Sequence, residues 1–202
     1  MELIALAPDN PLLRLAATEV TPRQLRTNKM QQTIDEFLAY VYGHNNKGAT
    51  RKMTRPMTVG LSAPQVGIGL RISIVDLAIG SKRYSDIHVL INPKIIKRSK
   101  AVMARREGCV NLPRVWGQVE RSSRVTVQAL DRSGNKLTLE VKGWPAALLQ
   151  HEIDHLDGQL FIDHLLDPSK AHFLDPHHAK EYNRKTAATW PYLVDVSHLV
   201  RN

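Results

Sequence analysis

Between residues 150 and 158 the chain reads Gln150-His151-Glu152-Ile153-Asp154-His155-Leu156-Asp157-Gly158. Nothing else in the sequence constrains the fold as strongly. The stretch contains His-Glu-x-x-His. On a helix, residues four apart share a face, with Cβ atoms about 5–6 Å apart. Imidazole nitrogens bind divalent metals at about 2.0–2.1 Å. His151 and His155 can therefore close on one ion from one side. Glu152 lies roughly a third of a turn around from His151. It stands beside the ion, where it can move the protons of a reacting water. The flanks predict a helix. Pro145, just upstream, suits a first turn, where its missing N–H costs nothing. Gly158 suits the stop. Two core or solvated histidines on an amphipathic helix would give the same pattern. The good start and stop favour the metal.

Two histidines are not a metal site; a third ligand and an open position are needed. The spacing that would bring a third histidine arrives instead at Phe161. A downstream carboxylate, Asp175 or Glu181, is one solution. The single cysteine is another. Cys109 lies in Arg106-Glu107-Gly108-Cys109-Val110-Asn111-Leu112-Pro113. A lone cysteine is usually a small buried hydrophobe, but Gly108 and Pro113 bracket this one as in a tight turn. It cannot form an intramolecular disulfide, which fits a reducing compartment. Cys109, His151 and His155 would leave a fourth position open.

A third stretch runs Val59-Gly60-Leu61-Ser62-Ala63-Pro64-Gln65-Val66-Gly67. Its small residues permit close approach by a ligand. The Gln65 amide can donate to an oxyanion. Alone, the stretch would read as an ordinary turn.

In this order, the three stretches resemble the motifs of the peptide deformylase family, over roughly residues 3–167. Gly60, Leu61, Ala63, Pro64 and Gln65 match the first motif, with Thr58 and Ser62 departing from it. Glu107, Gly108 and Cys109 match the second, with Val110 and Asn111 in place of Leu and Ser. The third matches in full. The resemblance implies removal of the formyl group from the amino-terminal methionine of new proteins, releasing formate. It implies one divalent metal ion, Fe(II) first, with Zn(II), Ni(II) or Co(II) accepted. Cys109, His151 and His155 would hold the ion, and Glu152 would serve as acid and base. The Gln65 amide and the Val110 backbone N–H would stabilise the oxyanion. Val59, Gly60, Ala147 and Leu148 would line the methionine pocket. Glu107 and Arg121 would pair to brace the cysteine turn. The departures keep open a catalytically weak, metal-binding relative. A zinc peptidase using His151, His155 and a downstream carboxylate is a more distant alternative.

The 202 residues fit one core-forming domain. Strands are expected over Arg71–Ala78, Ile87–Asn92, Ser123–Leu130 and Lys136–Val141. In the last two, Val125 and Val127 share a face with Leu137, Leu139 and Val141, across a turn at 131–135. Thr21-Pro22-Arg23-Gln24 is a helix start. Leu25, Ile34, Phe37, Leu38 and Val41 form the apolar stripe that follows. The fold class expected is α+β, with strands around a central metal-binding helix. Residues 1–167 are expected to form the catalytic domain. Residues 168–202 are expected to be a basic extension, partly helical (179–189) or mobile, and dispensable for the chemistry.

The 28 Lys and Arg outnumber the 19 Asp and Glu, for a net charge of +9. Such a balance suits anionic surroundings such as RNA; the family resemblance, whose members act on chains leaving the ribosome, implies ribosome contact, for which Lys170, Lys180, Arg184, Lys185 and Arg201 of the tail are candidates. The connection 43–57 is also basic. The amino-terminal residues lack the basic region of a secretory signal, and no apolar run is long enough to span a membrane. Together with what the family resemblance implies, a cytoplasmic monomer acting on nascent formyl-methionyl chains is expected.

Overall fold

The computed structural model describes residues 3–42, 59–78, 85–165, 167–183 and 185–200. The basic connection 43–57, Thr58, Arg184 and Arg201 lie outside the described residues. Helix α1 (Pro22–Leu25) starts as its sequence dictates: Gln24 N–H donates to the Thr21 hydroxyl, and Thr21 N–H donates to the Gln24 amide oxygen. The chain then restarts as α2 (Asn28–Tyr42), where Met30 N–H donates to the Thr27 hydroxyl. Met30, Ile34, Phe37 and Val41 recur every three or four residues and are buried along one face.

The strands, in chain order, are β1 (Gly60–Ser62), β2 (Ile72–Asp76), β3 (Ile87–Arg98), β4 (Val102–Cys109), β5 (Leu112–Ser122), β6 (Arg124–Leu130), β7 (Lys136–Lys142), β8 (Ala171–Phe173) and β9 (Leu193–Val194). One antiparallel sheet has the order β1-β2-β3-β6-β7, the other β4-β5-β8-β9. The register of the β6–β7 hairpin pairs Val125 with Val141 and Val127 with Leu139. The Asp131 carboxylate accepts the N–H groups of Ser133 and Asn135 and so shapes its turn.

Helix α3 (Trp144–Leu156) carries the His-Glu-x-x-His stretch. The larger sheet lies between α2 and α3. Ile72 and Ile74 pack in the cluster with α2, while Val75 packs with Ala146, Leu148, Leu149 and Ile153 of α3. With both faces covered, β2 is buried at every position. Apolar residues can therefore occupy both of its faces, as Ile72, Ile74 and Val75 do. The residues of α3 from Ala146 to Leu156 are all buried. A helix apolar or paired on every side belongs inside a core.

Helix α3 ends where Gly158 takes φ 71°. Gln159 N–H reaches Asp154 C=O at 2.8 Å, and Gly158 N–H reaches His155 C=O at 3.3 Å. This is the glycine-terminated stop in which two orphan carbonyls are satisfied at once. A Cβ on Gly158 would also meet the Arg14 carbonyl oxygen at 2.6 Å.

A third cluster joins Leu112 and Val119 of β5 to Leu160, Phe161 and Ile162, and draws in Leu13, Ala171 and Val196. Residues beyond 168 thus contribute to the core. His172 and Phe173 pair with Trp116 and Val115. Trp190 is buried and donates its indole N–H to the Phe173 carbonyl at 3.0 Å. Where a helix was expected, over 179–189, the described residues form turns and one short 3₁₀ turn, Ala187–Thr189. Local hydrogen bonds of the Thr186 hydroxyl with Asn183 N–H and the Glu181 carbonyl, and packing of Tyr182 on Trp190, set the backbone there, not helical periodicity. Among the described residues, no helix is long and apolar enough to cross a membrane.

Candidate metal centre

Cys109 ends β4, and His151 and His155 stand one turn apart on α3. Their ligand atoms converge within 4.8 Å of one another. The two Nε2 atoms are 3.3 Å apart, and Cys109 Sγ is 3.4 Å from His155 Nε2. Two nitrogens bound to one tetrahedral ion at about 2.0–2.1 Å would be about 3.3–3.4 Å apart, and a sulfur at about 2.3 Å would lie about 3.5 Å from each. The donor set therefore fits one divalent ion. Burial opposes ionisation of the thiol, but His155 and His151 outweigh it and hold Cys109 down at about 5. A thiolate is the form that binds metal. Asp175 and Glu181 stay outside this set; Asp175 lies 3.7 Å from His178.

Behind the ligands lies a buried charge network. His151 Nδ1 is 2.8 Å from Glu107 Oε2, which fixes the ring and leaves Nε2 for the ion. Arg121 donates to both Glu107 oxygens at 2.9 Å and also to Asp154. Asp154 in turn lies 3.0 Å from His164. Burial works against the charge on Glu107, yet Arg121 and His151 hold its carboxyl down at about 2, below its ordinary 4.5. A depressed carboxylate contributes stability above its unfolded pKa. That stability is lost as pH falls from about 4.5 through about 2. Arg121→Met leaves Glu107 and Asp154 buried without their guanidinium. The expected cost is about 3–5 kcal/mol, or a fall of roughly 10 °C in melting temperature at neutral pH. A melting temperature within about a degree of the parent would show the network to be dispensable.

Glu152 is buried, and burial raises its carboxyl above the ordinary range. Its Oε2 is 2.8 Å from the Ser62 hydroxyl, which is 2.7 Å from the Ser73 hydroxyl. Ser73 can donate to Ser62 while Ser62 donates to Glu152. Gln65 accepts Ser62 N–H at 2.7 Å and donates to Asn111 Oδ1 at 3.0 Å and to Cys109 Sγ at 3.2 Å. Asn111 donates in turn to the carbonyls of Leu6 and Gln65, both at 2.9 Å. These bonds fix which side of the Gln65 amide faces the cysteine. Ser62 and Asn111, two of the departures from the family motifs, are thus built into the site, and Ser73 was missed altogether. Only the pairing of β1 with β2 brings Ser62 and Ser73 opposite each other, so no local signal could have found it.

Beside the ligand set lies a cavity of about 430 Å³. Val59, Gly60, Ala147 and Leu148 line it, as do Val110, Gln65, Cys109, His151 and Glu152. Gly60 has no substitute here: a Cβ would lie 2.7 Å from Glu152 Oε1 and 2.8 Å from Leu148 Cδ1. His172 Nδ1 lies 2.6 Å from the Tyr182 hydroxyl, and His178 stacks on Tyr192.

Residues 1–171 match the family model described as polypeptide deformylase. The chain is 40% identical over 162 residues to Peptide deformylase 1 of Vibrio vulnificus strain YJ016, an alignment covering 80% of this chain and 84% of that one. It is 31% identical over 173 residues to Peptide deformylase 1A, chloroplastic/mitochondrial, of Arabidopsis thaliana, covering 79% and 60%. Among solved structures, the Met-Ala-Ser-bound class I type b peptide deformylase of Acinetobacter baumannii superimposes with a TM-score of 0.69 at 31% identity, covering 82% and 99%. The peptide deformylase of Thermotoga maritima gives 0.67 at 29%, covering 82% and 98%.

Proposed function

The chain belongs to the peptide deformylase family, and from that premise we propose which of its residues carry the reaction. The reaction removes the formyl group from the amino terminus of nascent peptides. Cys109, His151 and His155 hold one divalent ion, with His151 oriented by Glu107. When bound, such an ion supplies Lewis acidity to water and to the formyl carbonyl. Thiolate and imidazole donors suit Fe(II), Zn(II), Ni(II) and Co(II) alike; Fe(II) is the choice the family resemblance favours.

Glu152 takes the proton of the attacking water and returns a proton to the departing amine. Its burial favours this exchange, because a carboxylate with a raised pKa is a stronger base than an ordinary one. Ser62 and Ser73 hold its carboxylate in place. The Gln65 amide donates to the oxyanion as the formyl carbon becomes tetrahedral, assisted by Val110 N–H. Asn111 keeps that amide from flipping. Val59, Gly60, Ala147 and Leu148 receive the methionine side chain. The part proposed to be catalytic ends near 167, since every reacting group lies at or before His155, while residues beyond 168 pack into the same core.

The observation that carries this reading is the convergence of a thiol and two imidazoles at ligand distances, beside a cavity lined by Cys109, His151, the buried Glu152 carboxylate and the Gln65 amide. The Acinetobacter relative was solved with Met-Ala-Ser, which supports a peptide product in the corresponding cleft. The net charge supports a ribosomal location, although Lys170 of the tail is engaged with Asp167 at 3.0 Å. Iron protein purified without oxygen should release formate from formyl-Met-Ala-Ser in amounts equal to the new free amine. Cleavage inside the peptide without formate would mark a peptidase. Metal binding without either product would mark a weak or inactive relative.

A further inference from the structure

The cavity has an outer end that the formyl chemistry does not use. Arg105, Arg106 and Arg114 line it beside Trp116. The carboxylates of the cavity are committed elsewhere: Glu107 to Arg121 and His151, and Glu152 to Ser62. Among the described residues, the arginine ion pairs belong to Arg14, Arg71, Arg121 and Arg132, so none of the three rim guanidiniums has a carboxylate partner. Arg105 Nε donates to the Met103 thioether, a weak acceptor. Arg106 lies over the Tyr182 ring at 4.9 Å. Three like charges around one concavity repel each other in the free protein and attract an anion.

The rim is also held in place. Arg114 has φ 67°, an uncommon conformation for a residue with a Cβ. Its carbonyl accepts Leu174 N–H at 2.8 Å. Tyr182 packs on Trp190 as well as beneath Arg106. Leu174, Tyr182 and Trp190 all lie beyond the segment matched by the family model. The rim is therefore supported by residues beyond the stretch that the family model matches.

Distance says which part of a substrate would meet the rim. At about 3.3 Å per strand residue, and with a register shift between Gly108 and Cys109, the Cα atoms of Arg106 and Arg105 stand no more than about 10 and 13 Å from that of Cys109. An extended peptide covers about 3.3–3.6 Å per residue. Its second and third residues then come within reach of guanidiniums on long side chains.

We infer that this arginine rim selects formyl-methionyl chains that carry an acidic side chain at the second or third residue. The inference rests on the deformylase reading and specifies the substrate class of that same site. A carboxylate there gains charge-assisted, bidentate contacts that an amide or ammonium lacks. The gain arises before chemistry and appears in KM rather than kcat.

The test is steady-state kinetics of the metal-loaded protein on formyl-Met-Ala-Glu-Ser, formyl-Met-Ala-Gln-Ser and formyl-Met-Ala-Lys-Ser, with a matching set varied at the second residue. KM should rise roughly tenfold from the Glu to the Lys peptide in at least one set, with kcat nearly constant. The gap should shrink as salt is raised from about 0.05 M to about 0.5 M, because exposed charges are screened. In Arg114→Gln, and separately in Arg105→Gln, the Glu-to-Lys ratio of kcat/KM should move toward one. Equal kcat/KM for all the peptides in the parent protein would overturn the proposal and leave the deformylase reading intact. A ratio unchanged in both variants would place the selectivity elsewhere and also overturn it. Hydrolysis of none of the peptides would overturn the deformylase reading itself, and this inference with it.

Discussion

Cys109→Ala will leave the protein without most of its metal. The substitution removes the one sulfur of a three-ligand set and leaves two imidazoles, with Nε2 atoms 3.3 Å apart. Removing even an outer partner of a ligand costs about 10–100-fold in affinity. Loss of a ligand itself should therefore weaken binding by at least about 100-fold. His155→Ala should behave alike. His155 is buried, and its loss leaves only Cys109 and His151 of the set. Elemental analysis after gel filtration, expressed as metal per chain, is the measurement. Full occupancy in Cys109→Ala would remove Cys109 from the ligand set and return the third position to a carboxylate.

The second large effect is expected at Glu152. Glu152→Gln keeps the shape of the side chain and an oxygen able to accept the Ser62 hydroxyl. It removes the capacity to take a proton. Metal content should stay near that of the parent, and turnover should fall by about 10²–10⁴-fold. In the parent, kcat/KM should decline on the acid side as Glu152 becomes protonated, since the carboxylate is the working base. Burial raises this group above its ordinary 4.5, so the acid limb should lie above that value. The limb should vanish in Glu152→Gln. Near-normal turnover at matched metal occupancy would mean that another group accepts the proton.

How much of this was readable beforehand depended on how local each signal was. The helix of the His-Glu-x-x-His stretch was legible because Pro145 and Gly158 mark its ends in sequence. The β6–β7 hairpin was legible because its apolar residues alternate. Strands β4 and β5 were not. Their inward positions include Glu107 and Arg121, which are buried as an ion pair, so the alternation that marks a half-buried strand was broken by charge. Cys109 therefore read as part of a turn and not as the end of a strand. Ser62 and Asn111 read as departures from a motif. Their roles depend on Ser73 and Leu6, which only the folded chain brings near. The carboxyl-terminal residues read as an extension because their order comes from β5 and from packing among His172, Tyr182, Trp190 and Tyr192. Neither has a local period.

The pairing of Val115 with Phe173 joins residues 58 positions apart. During synthesis the reacting groups, complete by His155, precede the strand that covers β5. A chain still short of Phe173 holds all its metal ligands but leaves the outer edge of β5 open, with Trp116 uncovered. Closing so long a loop is entropically slow compared with forming the β6–β7 hairpin. The molecule is thus built to become chemically equipped before it becomes sealed, and that interval exposes a bare strand edge. An enzyme that tends nascent chains passes through the same vulnerable stage as its clients.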